Sequence, residues 1–211
     1  MDQVLFDRIS QWMDAHADEM AQDIVRLVRI PSVSDPDSDS KPFGPGCRAA
    51  LEEMLKLGEE YGFKTKNYEN YVGALWLEDG PMENTIGMWN HLDVVPVGDN
   101  WEYPPFEGVI KHGYIIGRGA QDNKGPAVGM LYLMRCLKEL NIPMKHRLCL
   151  FVGCDEERGM SDLEYYCCLL YTSFTDPWVL RYLYCSNLSM PRIYMISALR
   201  IRSVLIASSG W

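Results

Sequence analysis

The sequence predicts an α/β fold, a three-layer sandwich with a mixed, mostly parallel sheet. Three observations lead there. Segments of helical spacing alternate with short β-rich runs, a continuous apolar run over Arg147–Gly153 reads as a buried strand, and polar clusters follow directly on strand-like segments. With 211 residues, 47% hydrophobic and 23% charged, the chain can bury one core of ordinary size, which excludes disordered and collagen-like chains.

Leu5, Ile9, Trp12, Met13, Met20, Ile24, Leu27 and Val28 recur at helical spacing until Pro31 disfavours helix at Ile30, so a single helix is predicted over residues 2–29. Residues 32–46, rich in proline and aspartate, form a loop. A second helix spans residues 48–60, with Gly62 as its C-terminal cap. β-Rich runs follow at 63–68, 71–77, 85–90 and 109–116. Gly125 and Pro126 open a helix over 126–140 that closes at Asn141-Ile142-Pro143, and the apolar strand Arg147–Gly153 comes next.

The formal charge of −9 leaves no chain-wide basic field for nucleic acid or an anionic membrane, so the expected partner is a small molecule or a metal. No apolar run approaches the roughly 18 residues of a membrane span. The start, MDQVLFDRISQW, is acidic and amphipathic, unlike a signal peptide, and a cytoplasmic protein is expected. Seven cysteines without CxxC spacing among Cys47, Cys136, Cys149 and Cys154 read as free buried thiols.

Charge is unevenly spread. Residues 1–166 hold 28 acidic and 16 basic side chains, a net −12, whereas the last 45 residues hold one acid, Asp176, and four arginines, a net +3. That tail has no Lys, Glu, Gln or His and keeps no stable period of 2 or 3.6. Residues 167–211 are therefore expected to be a non-native or disordered end, with Leu169, Leu170, Trp178 and Leu183 at risk of exposure; a native, strand-rich extension is the alternative.

Three polar clusters carry the chemistry. In Asn90-His91-Leu92-Asp93, positions i and i+2 of an extended chain share a face, so Asp93 can orient His91 as a carboxylate orients a metal-bound imidazole. A structural, hydrogen-bonded histidine would look the same. Gly117 to Gly125 resembles a nucleotide loop, but GxGxxG fails because its sixth position is Asp122, which would repel pyrophosphate. The glycines instead present one carboxylate, the alternative being a helix N-cap. Asp155-Glu156-Glu157 follows the buried strand, and three adjacent acids repel unless a cation offsets them or they lie in a solvated turn. Together they offer N and O ligands for zinc or a similar divalent ion, with Asp122 the natural bridge in a two-metal site.

The segments NHLDVVP, WEYPPFEGVIKHGYIIGRGAQDNKGP and GCDEE resemble the aminoacylase, carboxypeptidase G and dipeptidase V family of co-catalytic di-zinc peptidases, from RIPSVS at residues 29–34 to about Tyr166. GDNW at 98–101 and the PPFEGVI after it look closest to the dipeptidase branch. The resemblance implies that His91 ligates one metal, Asp122 bridges two, Glu157 ligates the other, Glu156 is the general base and Asp93 orients His91. It also implies a non-proline cis peptide after the bridging aspartate, two Zn2+ ions (Mn2+ or Co2+ as alternatives) and hydrolysis of dipeptides or short peptides. A non-catalytic binding or assembly protein of the same fold, and a nucleotide-binding α/β domain, are the competing readings.

The chain departs from the family pattern in three places. A further acidic ligand is due about twenty residues after the glutamate pair, where the tail offers only Asp176 in TDPW. A downstream histidine ligand is due too, yet the last histidine is His146. No segment corresponds to the family's inserted lid domain. Residues 1–166 thus read as the N-terminal part of a metallopeptidase catalytic domain.

Overall fold

The protein was analysed as a computed structural model that describes residues 3–80, 84–173 and 205–207. The predicted first helix is two helices, α1 (Gln3–Ala15) and α2 (Ala17–Val28). His16 breaks them at φ −108° and ψ 7°. Its ring stacks on Trp12 at 3.9 Å, and its Nδ1 lies 2.7 Å from the Trp12 carbonyl, so side chain and backbone of one residue compete for the same acceptor. Helix α3 (Gly44–Glu60) starts four residues before its predicted position, because Pro45 suits a first turn whose N–H groups have no intrahelical partner. Gly62 follows it at φ +72°, the left-handed position expected of a cap.

Strands β1 (Lys64–Tyr68), β2 (Val72–Trp76), β3 (Thr85–His91) and β6 (Arg147–Gly153) form one sheet in the order β1-β2-β6-β3. It is mixed as expected, but the balance differs from the mostly parallel expectation. β1–β2 and β2–β6 are antiparallel, and only β3–β6 is parallel. The three residues between β1 and β2 can only reverse the chain, whereas β3 reaches β6 through a long crossover containing helix α4 (Lys124–Glu139).

The predicted strand over 109–116 is a hairpin, β4 (Val109–Lys111) and β5 (Tyr114–Ile116), turned at His112 and Gly113 with φ 51° and 80°. Two successive positive φ values match the twist of a two-residue hairpin loop. β5 also pairs in parallel with β7 (Leu205–Ala207). Helix α5 (Ser161–Ser173) runs without a break through residue 167, where composition changes. Trp178 and Leu183 lie outside the described residues, as does Asp176.

Side chains alternate across the sheet and build three layers. Leu75, Leu150 and Val152 join α1 to α4 in the main core, while Val72, Ala74, Cys149 and Phe151 face Tyr166 of α5. Cys47, Cys136, Cys149 and Cys154 are free and buried as expected, whereas Cys167 is half-buried and Cys168 exposed. Among the described residues no helix is long and apolar enough to cross a membrane.

Candidate metal centre

Parallel pairing of β3 with β6 sets His91 opposite Gly153, so both strands end at one edge of the sheet. The Leu92 N–H donates to the Gly153 carbonyl at 2.9 Å and extends the register into the loops beyond. His91 leaves from the end of β3, Asp93 from the loop just after it, and Glu156 and Glu157 from the turn after β6. Asp122 arrives from the turn after β5, just before α4, rather than from the main sheet. Its peptide bond to Asn123 is cis. It does not cap α4: the N-cap position is Asn123, with no side-chain capping bond.

The five sequence-predicted residues meet at this edge. His91 is buried, its Nδ1 lying 3.1 Å from the Asp93 carbonyl and 3.3 Å from Asp93 Oδ1. Its Nε2 lies 3.1 Å from Asp122 Oδ1 and 3.7 Å from Glu156 Oε2. One ligand atom each from His91, Asp122 and Glu157 falls within 4.8 Å of the others. Asp93 is fully buried, and its two oxygens accept the backbone N–H groups of Glu156 at 3.2 Å and Glu157 at 3.0 Å. The carboxylate beside the imidazole thus also holds the backbone amides of both glutamates.

Electrostatics explain why the set suits a cation. Burial pulls the His91 pKa down, but the Asp93 hydrogen bond and charge, then Glu156 and Asp122, outweigh it and raise the pKa to about 9. Glu157 is pushed up by burial and then by the Asp122 charge. A divalent ion of borderline softness relieves both strains, since it takes imidazole nitrogen and carboxylate oxygen together.

Asp155, the first of the three adjacent acids, does not face the centre. Its oxygens accept Ser34 Oγ–H at 2.8 Å and Ser161 Oγ–H at 2.6 Å, which ties the turn to the loop after α2. The sequence reading missed three supports. Ser32 Oγ–H donates to the Leu92 carbonyl at 2.6 Å, the buried Lys124 ammonium donates to the Ile30 carbonyl at 2.6 Å, and buried Asp162 receives backbone N–H groups. RIPSVS and DNKG contain the first two. Asp162 lies in a stretch to which the sequence reading assigned no element.

Residues 88–170 match the model of a family described as peptidase family M20/M25/M40. Over those residues the chain is similar to a segment of a peptidase M20 family domain. A Bacillus subtilis (strain 168) protein named "Putative dipeptidase YtjP" is 38% identical over 151 residues, 71% of this chain and 32% of that protein. The chain therefore spans about a third of the length of that curated relative. Human carnosine dipeptidase 1 shares the fold, with a TM-score of 0.65 and 23% identity over 77% of this chain and 37% of that one. An M20 family metallo-carboxypeptidase, Sso-CP2 from Sulfolobus solfataricus, aligns with a TM-score of 0.58 and 26% identity over 70% of this chain and 33% of that one. The mixed α/β architecture is thus that of solved M20 peptidases.

Proposed function

We propose that this chain forms part of a metal-dependent peptidase that hydrolyses the amide bond of dipeptides or short peptides, with zinc as the first-choice ion and manganese or cobalt as alternatives. The observation that carries this reading is the convergence of His91, Asp122 and Glu157 within 4.8 Å, backed by a buried Asp93 that touches His91 and both glutamate amides. The M20 match supports the substrate class.

His91 Nε2, Asp122 and Glu157 would hold the metal, with Asp122 shared between two ions. Divalent ions supply Lewis acidity there, polarising a carbonyl and making water more acidic. Asp93 holds His91 Nδ1 so that Nε2 keeps its lone pair for the metal. Glu156, whose carboxylate is nearly half exposed beside the site, takes a proton from the attacking water and returns it to the departing amine. The described residues offer one group of three donors, fewer than two ions with an open position need. On this reading the 211-residue chain binds metal without turning over peptides at an enzyme's rate.

Two variants separate the roles. His91→Ala should abolish zinc and manganese uptake by the chain, read by equilibrium dialysis. In a full-length protein containing this segment, Glu156→Gln should keep its metal while dipeptide turnover falls about 100-fold or more. Metal content unchanged in His91→Ala, or full turnover in Glu156→Gln, would reject the assignment.

A further inference from the structure

The turn after β6 has four consecutive backbone N–H groups with no ladder partner, and two buried carboxylates receive all of them. Asp162 Oδ2 accepts from Cys154 at 2.7 Å and Asp155 at 3.1 Å, and Asp93 accepts from Glu156 and Glu157 at 3.2 and 3.0 Å. Asp162 is 1% exposed and Asp93 0%, so no water competes for these donors. Asp162 Oδ1 is engaged as well, by the Leu163 N–H at 2.7 Å.

Gly153 shows how closely the carboxylate is fitted. A Cβ there would lie 1.9 Å from Asp162 Oδ2 and 2.9 Å from its Cγ, so the strand ends in glycine where the acid enters. Asp93 alone cannot fix the turn, because it grips only the two amides farthest from the strand. Asp162 grips the two nearest it, so the pair together hold all four amides of the turn.

We propose that Asp162 is a positioning residue for the metal centre: its carboxylate, working with Asp93, sets the backbone from Cys154 to Glu157 and thereby the placement of Glu156 and Glu157. The inference rests on the metal-centre reading above. Asp162 touches neither metal nor substrate. It acts through the turn, and outer hydrogen-bond partners of this kind commonly change metal affinity by about 10- to 100-fold.

The test measures zinc and manganese affinity of the 211-residue chain by calorimetry, beside the metal-free melting temperature. Asp162→Ala should weaken binding about tenfold or more. Asp162→Asn, whose amide oxygen can still accept from Cys154 and Asp155 but whose NH2 would face the Leu163 N–H, should recover part of that affinity and bind more tightly than Asp162→Ala. Gly153→Ala, which displaces the same carboxylate without removing it, should reproduce the loss. Asp23→Ala, a destabilised control in the cluster of Tyr61, Tyr132 and Arg26, should bind metal as the parent does.

Parent-like affinity in a folded Asp162→Ala, or an equal loss in Asp23→Ala, overturns the proposal while His91→Ala still loses metal. A parent chain that binds neither ion refutes the metal reading itself, and this inference with it. Should neither Asp162→Ala nor Gly153→Ala fold, amide hydrogen exchange of the parent decides. The amides of residues 154–157 must then be protected as one group, and fast exchange at Cys154 and Asp155 overturns the proposal.

Discussion

Replacing Lys124 with methionine tests how the fold sustains a buried ammonium under the site. Lys124 is 0% exposed, and its Nζ–H donates to the Ile30 carbonyl at 2.6 Å. Burial lowers its pKa from the ordinary 10.5 to about 8, only partly opposed by Cys47, Cys154 and Asp93. Below pH 8 the folded and unfolded chains both carry the proton, and the folded state bears the whole desolvation cost. Between about 8 and 10.5 the unfolded chain binds the proton and the folded chain does not, so stability from this group rises with pH. Above 10.5 both are neutral and the cost is gone. The gap in pKa corresponds to about 3 kcal/mol.

Buried thiols act in the opposite sense. Burial raises Cys136 to about 11 and Cys149 to about 12, so both proteins lose stability above the ordinary thiol value of 9. The difference between parent and Lys124→Met cancels that loss. Urea unfolding at intervals from pH 7 to 10.5 should show the parent gaining on Lys124→Met by about 3 kcal/mol, on top of a constant offset for the Ile30 carbonyl left without its donor. A flat difference, or a parent that loses ground as pH rises, would refute the buried-ammonium account.

Two further outcomes are expected. Because metal requires a neutral His91 whose metal-free pKa is about 9, zinc affinity should climb about tenfold per pH unit between 6.5 and 8.5, as calorimetry in several buffers would show; affinity that falls or stays level sinks the role of His91. Tyr132→Phe removes a buried hydroxyl that donates to Asp23 Oδ2 at 2.7 Å and should cost about 2 kcal/mol in urea unfolding, with no change in metal affinity; an unaltered midpoint would show that Tyr61 and Arg26 suffice to hold Asp23.

Much of the centre was legible because its parts are local in sequence. The i, i+2 spacing of an extended strand put Asp93 on the His91 face, and the structure has Nδ1 and Oδ1 3.3 Å apart. The failed GxGxxG pattern singled out Asp122, which stands beside His91 Nε2. Other features depend on competition that periodicity does not express. The helix break at His16 arises from a ring stacked on Trp12 and a shared carbonyl. The run over 109–116 looks like one strand because apolar residues flank His112-Gly113, where two positive φ values reverse the chain.

By itself the sequence determined the class of fold, the three polar clusters and the change of composition at residue 167, since each is a property of neighbours along the chain. Only the tertiary structure decided which acids serve which purpose. Asp155, Glu156 and Glu157 are adjacent and chemically alike, yet Asp155 is locked by Ser34 and Ser161 while the other two are held by Asp93. Asp162 and Lys124 acquire their roles from the amides and the carbonyl they meet across the core. Burial at these places makes an unpaired N–H or carbonyl costly and leaves a carboxylate or an ammonium as its partner.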